Sequence, residues 1–155
     1  YMHTNWRYCN CVDTPECSHT IWGRTYKDWR PEYINDLTEV LESKTGILIP
    51  SPEYVGLNGQ TMGMNACLHQ DCASLEANKT ASFLYYIGTD DADGDLIIYN
   101  NEREPIERIE FVKNRMVLFD GSIPHSADGP TSMTLRMSLV YRGYYENNNG
   151  NASSR

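Results

Sequence analysis

His69 and Asp71 stand two residues apart in the stretch NACLHQDCAS, which has the character of an extended segment. Side chains at positions i and i+2 of a strand point to the same face of a sheet. An imidazole and a carboxylate on one face can bind a metal ion between them, because both groups are common metal ligands. The spacing therefore predicts part of a metal site, and the remaining ligand must come from elsewhere in the chain.

After Asp71 the sequence contains one more histidine, His125, in the stretch FDGSIPHSADG. Two histidines and one carboxylate on one side of a metal leave coordination positions open on the other side, as in non-haem Fe(II) oxygenases. Each residue alone is more simply explained as a polar side chain on a strand or loop. The metal hypothesis therefore depends on the complete set of three.

A candidate anion-binding arginine follows His125 by eleven residues, in the stretch TLRMS. Strand alternation places one set of side chains on a common face, namely Thr134, Arg136, Ser138 and Val140. A buried guanidinium requires an anion, and it can hold a carboxylate through two parallel hydrogen bonds, to which Ser138 can add a third. For Arg136 taken alone, a structural salt bridge with one of the many acidic residues is the alternative.

One helix and a series of short strands must position these side chains. In RPEYINDLTEVLESKTG a helical apolar stripe runs from Tyr33 to Leu41, with Pro31 in the first turn and Gly46 at the C-cap. Strand-like runs then recur between turn signals: GILI, EYVGL, TMGMNAC, ASFLYYI, DLIIY, IERIEFV, RMVLF and TLRMSLVYR. About eight short strands after one helix predict a mainly β, antiparallel sandwich or jelly roll.

The chain of 155 residues is predicted to form a single domain. We expect this domain to occupy residues 1–145, divided into an aromatic and cysteine-rich N-terminal segment (1–30), the helix (31–45) and the β-core (47–143). The polar stretch ENNNGNASSR, residues 146–155, has nothing to pack against and is predicted to be a disordered tail.

Composition narrows the classes of partner. The formal net charge is −8 without a basic run, which disfavours nucleic acid and anionic membranes as partners. No apolar run approaches the roughly 18 to 20 residues of a spanning helix, and from these residues we expect no signal peptide. Five cysteines are an odd number, and Cys67 and Cys72 lack an obvious disulfide partner, so we expect a protein of the reducing cytoplasm.

A second metal hypothesis concerns the N-terminal stretch CNCVDTPECSH. It offers four ligands of the types that hold tetrahedral zinc, namely Cys9, Cys11, Cys17 and His19. The C-x-C spacing is less typical of zinc sites than C-x-x-C. Scattered reduced cysteines are the alternative interpretation.

The ordered motifs resemble those of the Fe(II)/2-oxoglutarate-dependent dioxygenases. The pattern H-x-D, Y-Y, G-x-L, N-R-x-V-L-F-D, a distant His and R-x-S covers residues 54–143. The text NGQT…LHQD…SFLYYIG…DGDLIIY…NRMVLFDGSIPHSADGP…LRMSLVY is most similar to the prolyl-4-hydroxylase-like branch, including members carried by marine bacteriophages. The resemblance implies a double-stranded β-helix with the N-terminal helix packed on it, and host cytoplasm as the location if a phage encodes the chain.

The resemblance also implies roles by position. It makes the iron ligands His69, Asp71 and His125, and it makes the residues that hold 2-oxoglutarate Arg136, Ser138, Tyr86 and Leu96. Strand alternation alone leaves open whether Tyr85 faces the pocket instead of Tyr86. Relatives usually have two glycines in the turn before the leucine, whereas this chain has Asp93-Gly94-Asp95, which puts the geometry of that turn in question.

The implied reaction uses Fe(II), 2-oxoglutarate and O₂ to hydroxylate a C–H bond of a peptidyl, with prolyl as first candidate, or small-molecule substrate, releasing succinate and CO₂. Halogenases of this superfamily replace the carboxylate ligand by a small residue, so Asp71 favours hydroxylation. Two rival interpretations remain: a jelly-roll binding module without turnover, and a cupin-type metal enzyme that uses no cosubstrate.

Overall fold

The structure is a computed structural model that describes residues 7–10, 20–25, 32–46, 54–71 and 80–144. Within these ranges it contains one helix, α1 (Glu32–Thr45), and the strands β1 (Arg7–Asn10), β2 (Thr20–Thr25), β3 (Tyr54–Gln60), β4 (Thr80–Tyr86), β5 (Leu96–Tyr99), β6 (Pro105–Ile109), β7 (Met116–Asp120), β8 (His125–Ala127) and β9 (Arg136–Tyr144). No helix in this described part combines the length and apolar composition needed to cross a membrane.

The strands form two antiparallel sheets. The larger has six strands in the order β1-β2-β3-β9-β4-β7, and the smaller has three in the order β6-β5-β8. Strands distant in sequence are neighbours, since β9 lies between β3 and β4. This arrangement is the predicted mainly β jelly roll, a double-stranded β-helix.

Helix α1 ends at the glycine that the sequence predicts as its C-cap, whereas Pro31, predicted for the first turn, lies outside the described residues. Glu32 lies in the first turn and Lys44 in the last turn, where each charge interacts favourably with the helix dipole. Gly46 ends the helix with a φ of 70°, and its N–H donates to the Glu42 carbonyl at 2.8 Å. Leu41, 3% exposed, packs the helix against the larger sheet.

Strand alternation divides the core into two layers. One face of the larger sheet packs against α1 through Leu41, Val55, Ala81, Phe83, Leu139 and Tyr141. The opposite face packs against the smaller sheet through Leu84, Tyr86, Leu96, Ile98, Phe111, Val117 and Val140. Neighbouring residues of β4 and β9 therefore serve different layers, and only every second residue points between the sheets.

The strand predictions differ from the structure at three places. Strands β1 and β2 lie in the N-terminal segment, where no strand was predicted, and the short β8 lies in the loop that contains His125. The stretch TMGMNAC (61–67), predicted as a strand, is irregular because Gly63 takes a φ of 79° and Met64 N–H turns back to the Thr61 carbonyl. Residues 47–49 of the predicted GILI strand lie outside the described residues.

Candidate active site

His69 and Asp71 lie on an irregular segment, so the prediction of a regular strand carrying both is wrong. His69 instead forms an isolated bridge with His125, in which each N–H donates to the other's carbonyl at 2.9 Å. The N–H of Asp71 donates to the Gly121 carbonyl, also at 2.9 Å. These three bonds fasten the segment to the start of β8 and bring the predicted ligands together.

The three side chains converge within a small volume. The candidate ligand atoms of His69, Asp71 and His125 all lie within 4.8 Å of one another. Oδ1 of Asp71 is 3.4 Å from Nε2 of His69 and 3.7 Å from Nε2 of His125. The side chains are 25%, 3% and 6% exposed for His69, Asp71 and His125 respectively, so the cluster is accessible from the side of His69.

Backbone hydrogen bonds fix the tautomer of both histidines. Nδ1 of His69 lies 2.9 Å from the Cys67 carbonyl, and Nδ1 of His125 lies 2.8 Å from the Ile123 carbonyl. Because a carbonyl oxygen only accepts, each Nδ1 carries a proton, which leaves Nε2 as the nitrogen that a neutral imidazole offers to a metal. Two lone pairs and a carboxylate oxygen that face one another repel, unless a cation lies between them. The donor set therefore fits a divalent metal ion.

The charge states of the cluster also suit metal binding. Burial alone would raise the pKa of Asp71, but its contact with His69 and the charge of Arg142 outweigh burial and lower the pKa to about 2. The pKa of His125 is lowered to about 4, first by its burial and second by the electrostatic effect of the adjacent His69. Asp71 is therefore an anion and His125 a neutral ligand at neutral pH.

Two residues that the sequence analysis did not identify hold the Asp71 carboxylate. The hydroxyl of Ser82 donates to Oδ2 at 2.6 Å, and Nη2 of Arg142 contacts Oδ1. Strand alternation could have placed both side chains on the inward face, because an even number of residues separates each from a candidate site residue. Ser82 lies four residues before Tyr86 on β4, and Arg142 lies six residues after Arg136 on β9. They were missed because the family pattern assigns no role to either position.

Arg136 lies deep in the layer between the sheets, 2% exposed. Its Nε donates to the Gly94 carbonyl at 2.9 Å and its Nη1 to Oε1 of Gln60 at 2.6 Å. The guanidinium lies over the rings of Tyr86 and Phe111, 5.2 and 5.5 Å from their centres. No carboxylate within the described ranges forms a salt bridge with it. Among the described residues Arg136 is therefore a buried cation without a salt bridge, and Asp95 and Asp128 act on its charge only from a distance.

Two other hydrogen bonds of the Gln60 amide determine which of its atoms contacts Arg136. Its Nε2 donates to the carbonyls of Met64 at 2.7 Å and Ala127 at 3.3 Å, so only Oε1 remains for the guanidinium. Gln60 is 2% exposed and was not singled out from the sequence. As a neutral acceptor it orients Arg136 without neutralising its charge.

The structure distinguishes the two adjacent tyrosines. Tyr86 is fully buried between the sheets beside Arg136, and its hydroxyl has no hydrogen-bond partner among the described residues. Burial raises the pKa of Tyr86, so the hydroxyl stays protonated and can donate. Tyr85 packs toward the helix side and donates to Asn114 Oδ1 at 3.1 Å. Tyr86, not Tyr85, therefore lies beside Arg136.

The other predicted cosubstrate residues surround the same space. Ser138, 2% exposed, follows Arg136 on the inward face of β9 and pairs in register with Tyr86. Leu96, 1% exposed, opens β5 and packs in the same layer as Tyr86. Arg136, Ser138 and Leu96 thus all lie beside Tyr86 in the layer between the sheets.

In the Asp93-Gly94-Asp95 turn, the backbone conformation and close packing at position 94 require a glycine. Gly94 has a φ of 109°, and a Cβ there would lie 2.4 Å from the Asp128 carbonyl oxygen and 2.9 Å from Cδ of Arg136. Asp93 accepts a hydrogen bond from the N–H of Thr131 at 2.9 Å, while Asp95 and Asp128 both face Arg108. The acidic side chains therefore fasten the turn through Thr131 and Arg108.

The N-terminal zinc hypothesis receives no support. Cys11, Cys17 and His19 lie outside the described residues, and only the backbone of Cys9 is described. Among the described residues the metal-binding geometry occurs only at His69, Asp71 and His125.

Comparison with known proteins identifies the class. The chain belongs to the 2OG-Fe(II) oxygenase superfamily, whose family model matches residues 57–141. Membership implies Fe(II), 2-oxoglutarate and O₂ as the reactants that such a site accommodates. No curated protein sequence matches the chain.

Solved structures show the same fold. A prolyl-4-hydroxylase from Pseudomonas putida is similar with a TM-score of 0.59 and 14% identity, over 82% of this chain and 72% of that one. A prolyl hydroxylase from Trichoplax adhaerens, in complex with a peptide fragment of the hypoxia inducible factor oxygen degradation domain, matches with a TM-score of 0.59 and 18% identity, over 82% and 63%. A cupin 2 conserved barrel domain protein from Salinispora arenicola matches with a TM-score of 0.52 and 12% identity, over 91% and 83%.

Proposed function

We propose that the protein is an Fe(II)- and 2-oxoglutarate-dependent dioxygenase that hydroxylates a substrate C–H bond and releases succinate and CO₂. His69, Asp71 and His125 hold the metal in this proposal. Arg136, Ser138 and Tyr86 hold the far carboxylate of 2-oxoglutarate, and Leu96 forms a wall of the pocket.

The observation that carries the proposal is the buried guanidinium of Arg136. A fully desolvated cation without a carboxylate partner is costly, unless an anion enters from solution and completes the site. Burial lowers the pKa of Arg136, which shows how unfavourable its present environment is for the charge. The unpartnered hydroxyl of Tyr86 adds a second donor to the same space. A dicarboxylate that also reaches the metal satisfies both groups.

Each residue contributes to binding and orientation. Asp71 and the two Nε2 atoms supply three ligands on one side of the metal and leave the opposite positions for the cosubstrate and O₂. When bound, Fe(II) and 2-oxoglutarate supply the oxidising chemistry, and the protein supplies placement. Gln60 and the Gly94 carbonyl orient the guanidinium, and the apolar layer around Leu96 excludes water from the pocket. Aspartate as the carboxylate ligand favours hydroxylation over halogenation.

We propose a peptidyl substrate, with prolyl residues as the first candidate and a small molecule as the alternative. Two similar folds are prolyl hydroxylases, and one of them is bound to a peptide fragment. The net charge of −8 and the lack of a basic run argue against nucleic acid as the substrate.

Uncoupled turnover tests the proposed function without a known substrate. Purified protein is incubated with Fe(II), ascorbate, O₂ and 2-oxoglutarate, and succinate is measured. We expect succinate that depends on both Fe(II) and the guanidinium of Arg136, so that Arg136→Met abolishes it. Tyr85→Phe, a change on the helix-facing side of the same sheet, serves as the matched control and should retain it.

The rivals give different results. A binding module without turnover gives no succinate but still binds Mn(II) and N-oxalylglycine. A cupin-type enzyme oxidises its substrate without added 2-oxoglutarate. If Arg136→Met leaves the affinity for 2-oxoglutarate unchanged, the assignment of the cosubstrate pocket is wrong.

A further inference from the structure

Asn58 lies in a row of polar side chains on the inward face of the larger sheet. In the register of β3, β9 and β4, Asn58 is opposite Ser138, and Ser138 is opposite Tyr86. Side chains of directly opposite residues share a face of the sheet, with Cβ atoms about 4.5 to 5.5 Å apart. Alternation along β3 agrees, because Val55 and Leu57 pack on the helix side. Asn58 therefore points between the sheets, beside Ser138.

The side-chain amide of Asn58 forms no hydrogen bond within the described part of the chain. Gln60, two residues later on the same face, is 2% exposed and binds Arg136 and two carbonyls through both ends of its amide. Asn58 is partly exposed. Water can satisfy such an amide, but a ligand that displaces the water must form hydrogen bonds in its place. Asn58 therefore offers a ligand a neutral donor and acceptor that the described residues do not use.

The place of Asn58 along the sheet indicates which ligand it meets. Ser82, which binds Asp71, lies two rows away from Asn58, because Tyr86 follows Ser82 by four residues on β4. A substrate C–H bond must approach the metal ligands. Asn58 instead shares the row of Ser138 and Tyr86, which the proposed function assigns to the far carboxylate of 2-oxoglutarate.

A carboxylate that leaves water at this row needs several donors, since its two oxygens accept about four hydrogen bonds. Arg136 already uses Nε and Nη1 for acceptors within the protein. Neighbouring strands are about 4.8 Å apart, so an anion over Ser138 is within reach of side chains on both adjacent strands. Tyr86 lies on one of these strands and Asn58 on the other.

We propose that Asn58 is a further binding residue for 2-oxoglutarate, whose side-chain N–H groups donate to the far carboxylate beside Ser138. This proposal rests on the proposed function. A neutral amide adds hydrogen bonds without adding charge, so the single positive charge of Arg136 still balances the single negative charge of the far carboxylate.

The test compares two keto acids that differ only at the far end. 2-Oxopentanoate has the 2-oxo acid head of 2-oxoglutarate but a methyl group in place of the far carboxylate. Isothermal titration calorimetry measures both dissociation constants in the Mn(II)-loaded wild-type, Asn58→Leu and Asn58→Asp proteins. Asn101→Leu and Asn101→Asp, changes on an exposed turn, are the matched controls. Thermal midpoints establish that each variant is folded.

We expect Asn58→Leu to raise the dissociation constant of 2-oxoglutarate about fivefold, the scale of one neutral donor to a carboxylate. The dissociation constant of 2-oxopentanoate should not rise, because this ligand has no far carboxylate. Asn58→Asp should weaken 2-oxoglutarate binding by about a further tenfold or more, since two like charges then face each other. Both Asn101 variants should bind as the wild-type protein does.

NMR separates direct contact from an effect through neighbouring residues. The protein is loaded with diamagnetic Zn(II), and the side-chain amide resonances of Asn58 are identified by their absence in Asn58→Asp. These resonances should shift when 2-oxoglutarate is added and shift much less with 2-oxopentanoate.

Three outcomes overturn the proposal. In the first, Asn58→Leu binds 2-oxoglutarate within about twofold of the wild-type affinity. In the second, it weakens both keto acids equally, so that Asn58 shapes the pocket without binding the far carboxylate. In the third, the amide resonances respond to both ligands alike or to neither.

Two further results are decisive in other ways. If Asn58→Leu does not fold, Asn58→Asp, which has nearly the shape of the native side chain, carries the same comparison, and failure of both to fold makes Asn58 a structural residue. If the wild-type protein binds the two keto acids equally, the far-carboxylate pocket is wrong, and the proposed function fails with it. A wild-type preference for 2-oxoglutarate that persists in Asn58→Leu rejects the role of Asn58 alone.

Discussion

The two ends of the inward face of β9 place the same functional group in opposite settings. At the closed end, Arg136 is 2% exposed, oriented by neutral acceptors and without a carboxylate partner in the described part of the chain. At the open end, the Arg142 side chain is 32% exposed and contacts the carboxylate of Asp71. In the proposed function, the closed end receives an anion that becomes fully buried, and the open end borders a space that solvent reaches.

The difference arises from the neighbours that the larger sheet supplies. Strand β3 brings the amide of Gln60 to Arg136, whereas β4 brings the hydroxyl of Ser82 to the Asp71 carboxylate beside Arg142. In the proposed function, the neutral amide of Gln60 leaves the charge of Arg136 for a dicarboxylate, whereas Ser82 orients Asp71 as a metal ligand. The two ends of one strand can then serve the cosubstrate and the metal, because the adjacent strands position different groups beside them.

Removal of Asp71 should have the largest effect. Asp71→Ala deletes the anionic member of the cluster and leaves Arg142 beside the two histidines. We expect Mn(II) affinity to fall by more than the roughly 10- to 100-fold typical of outer-shell changes. Isothermal titration calorimetry measures this, and the exposed Asp91→Ala is the matched control. Retained Mn(II) affinity in Asp71→Ala would show that the metal lies elsewhere.

Gln60→Glu, a change at the closed end, should raise the dissociation constant of 2-oxoglutarate about a hundredfold. Oε1 of Gln60 lies 2.6 Å from Nη1 of Arg136, so a carboxylate at this position forms an ion pair with the guanidinium. The charge of Arg136 is then neutralised before 2-oxoglutarate binds. Affinity is measured by titration of 2-oxoglutarate into the Mn(II)-loaded protein.

Mn(II) affinity itself should change little in Gln60→Glu, which separates the closed end from the metal. Asn101→Asp, which introduces the same charge on an exposed turn, controls for net charge. If Gln60→Glu binds 2-oxoglutarate as tightly as the wild-type protein, Arg136 is a structural residue rather than an anion receptor.

Ser82→Ala should weaken Mn(II) binding by about tenfold, because the hydroxyl fixes the orientation of the Asp71 carboxylate through Oδ2. The exposed Ser132→Ala provides the control. Calorimetry at constant pH measures the change. An unchanged affinity would mean that Arg142 and the backbone alone hold the carboxylate in place.

The sequence predicted the members of the site better than the elements that carry them. His69, Asp71 and His125 do converge, yet through an isolated bridge and a three-residue strand, where the sequence predicted a strand for the first two residues and none for His125. Such a segment gives no hydrophobic period, because its geometry depends on partners fifty or more residues away. Alternation in β9 predicted the inward face of Arg136 and Ser138 correctly, since a strand buried on both sides follows the two-residue period.

The residues that hold the site side chains in place could not be recognised in the same way. Gln60 acts through contacts with Arg136 and with carbonyls of two other segments, and its role depends on the register of β3 against β9. Register is a property of the folded sheet, which single-sequence periodicity does not determine. The choice between Tyr85 and Tyr86 also required the structure, because alternation gives two faces without saying which one is the pocket.

Tyr86→Phe should have the smallest effect and the most specific one. The Tyr86 hydroxyl is buried and has no partner in the described residues, so its removal relieves an unsatisfied polar group and should leave the thermal midpoint unchanged or raised. In the Mn(II)-loaded protein, affinity for 2-oxoglutarate should fall by about fivefold, the value of one neutral donor to a carboxylate. Tyr85→Phe removes the hydroxyl that donates to Asn114 and should leave that affinity unchanged. Equal effects of the two substitutions would place the cosubstrate away from Tyr86. A loss of stability without a loss of affinity in Tyr86→Phe would make this hydroxyl a structural donor, and the closed end would then hold its anion through Arg136 and Ser138.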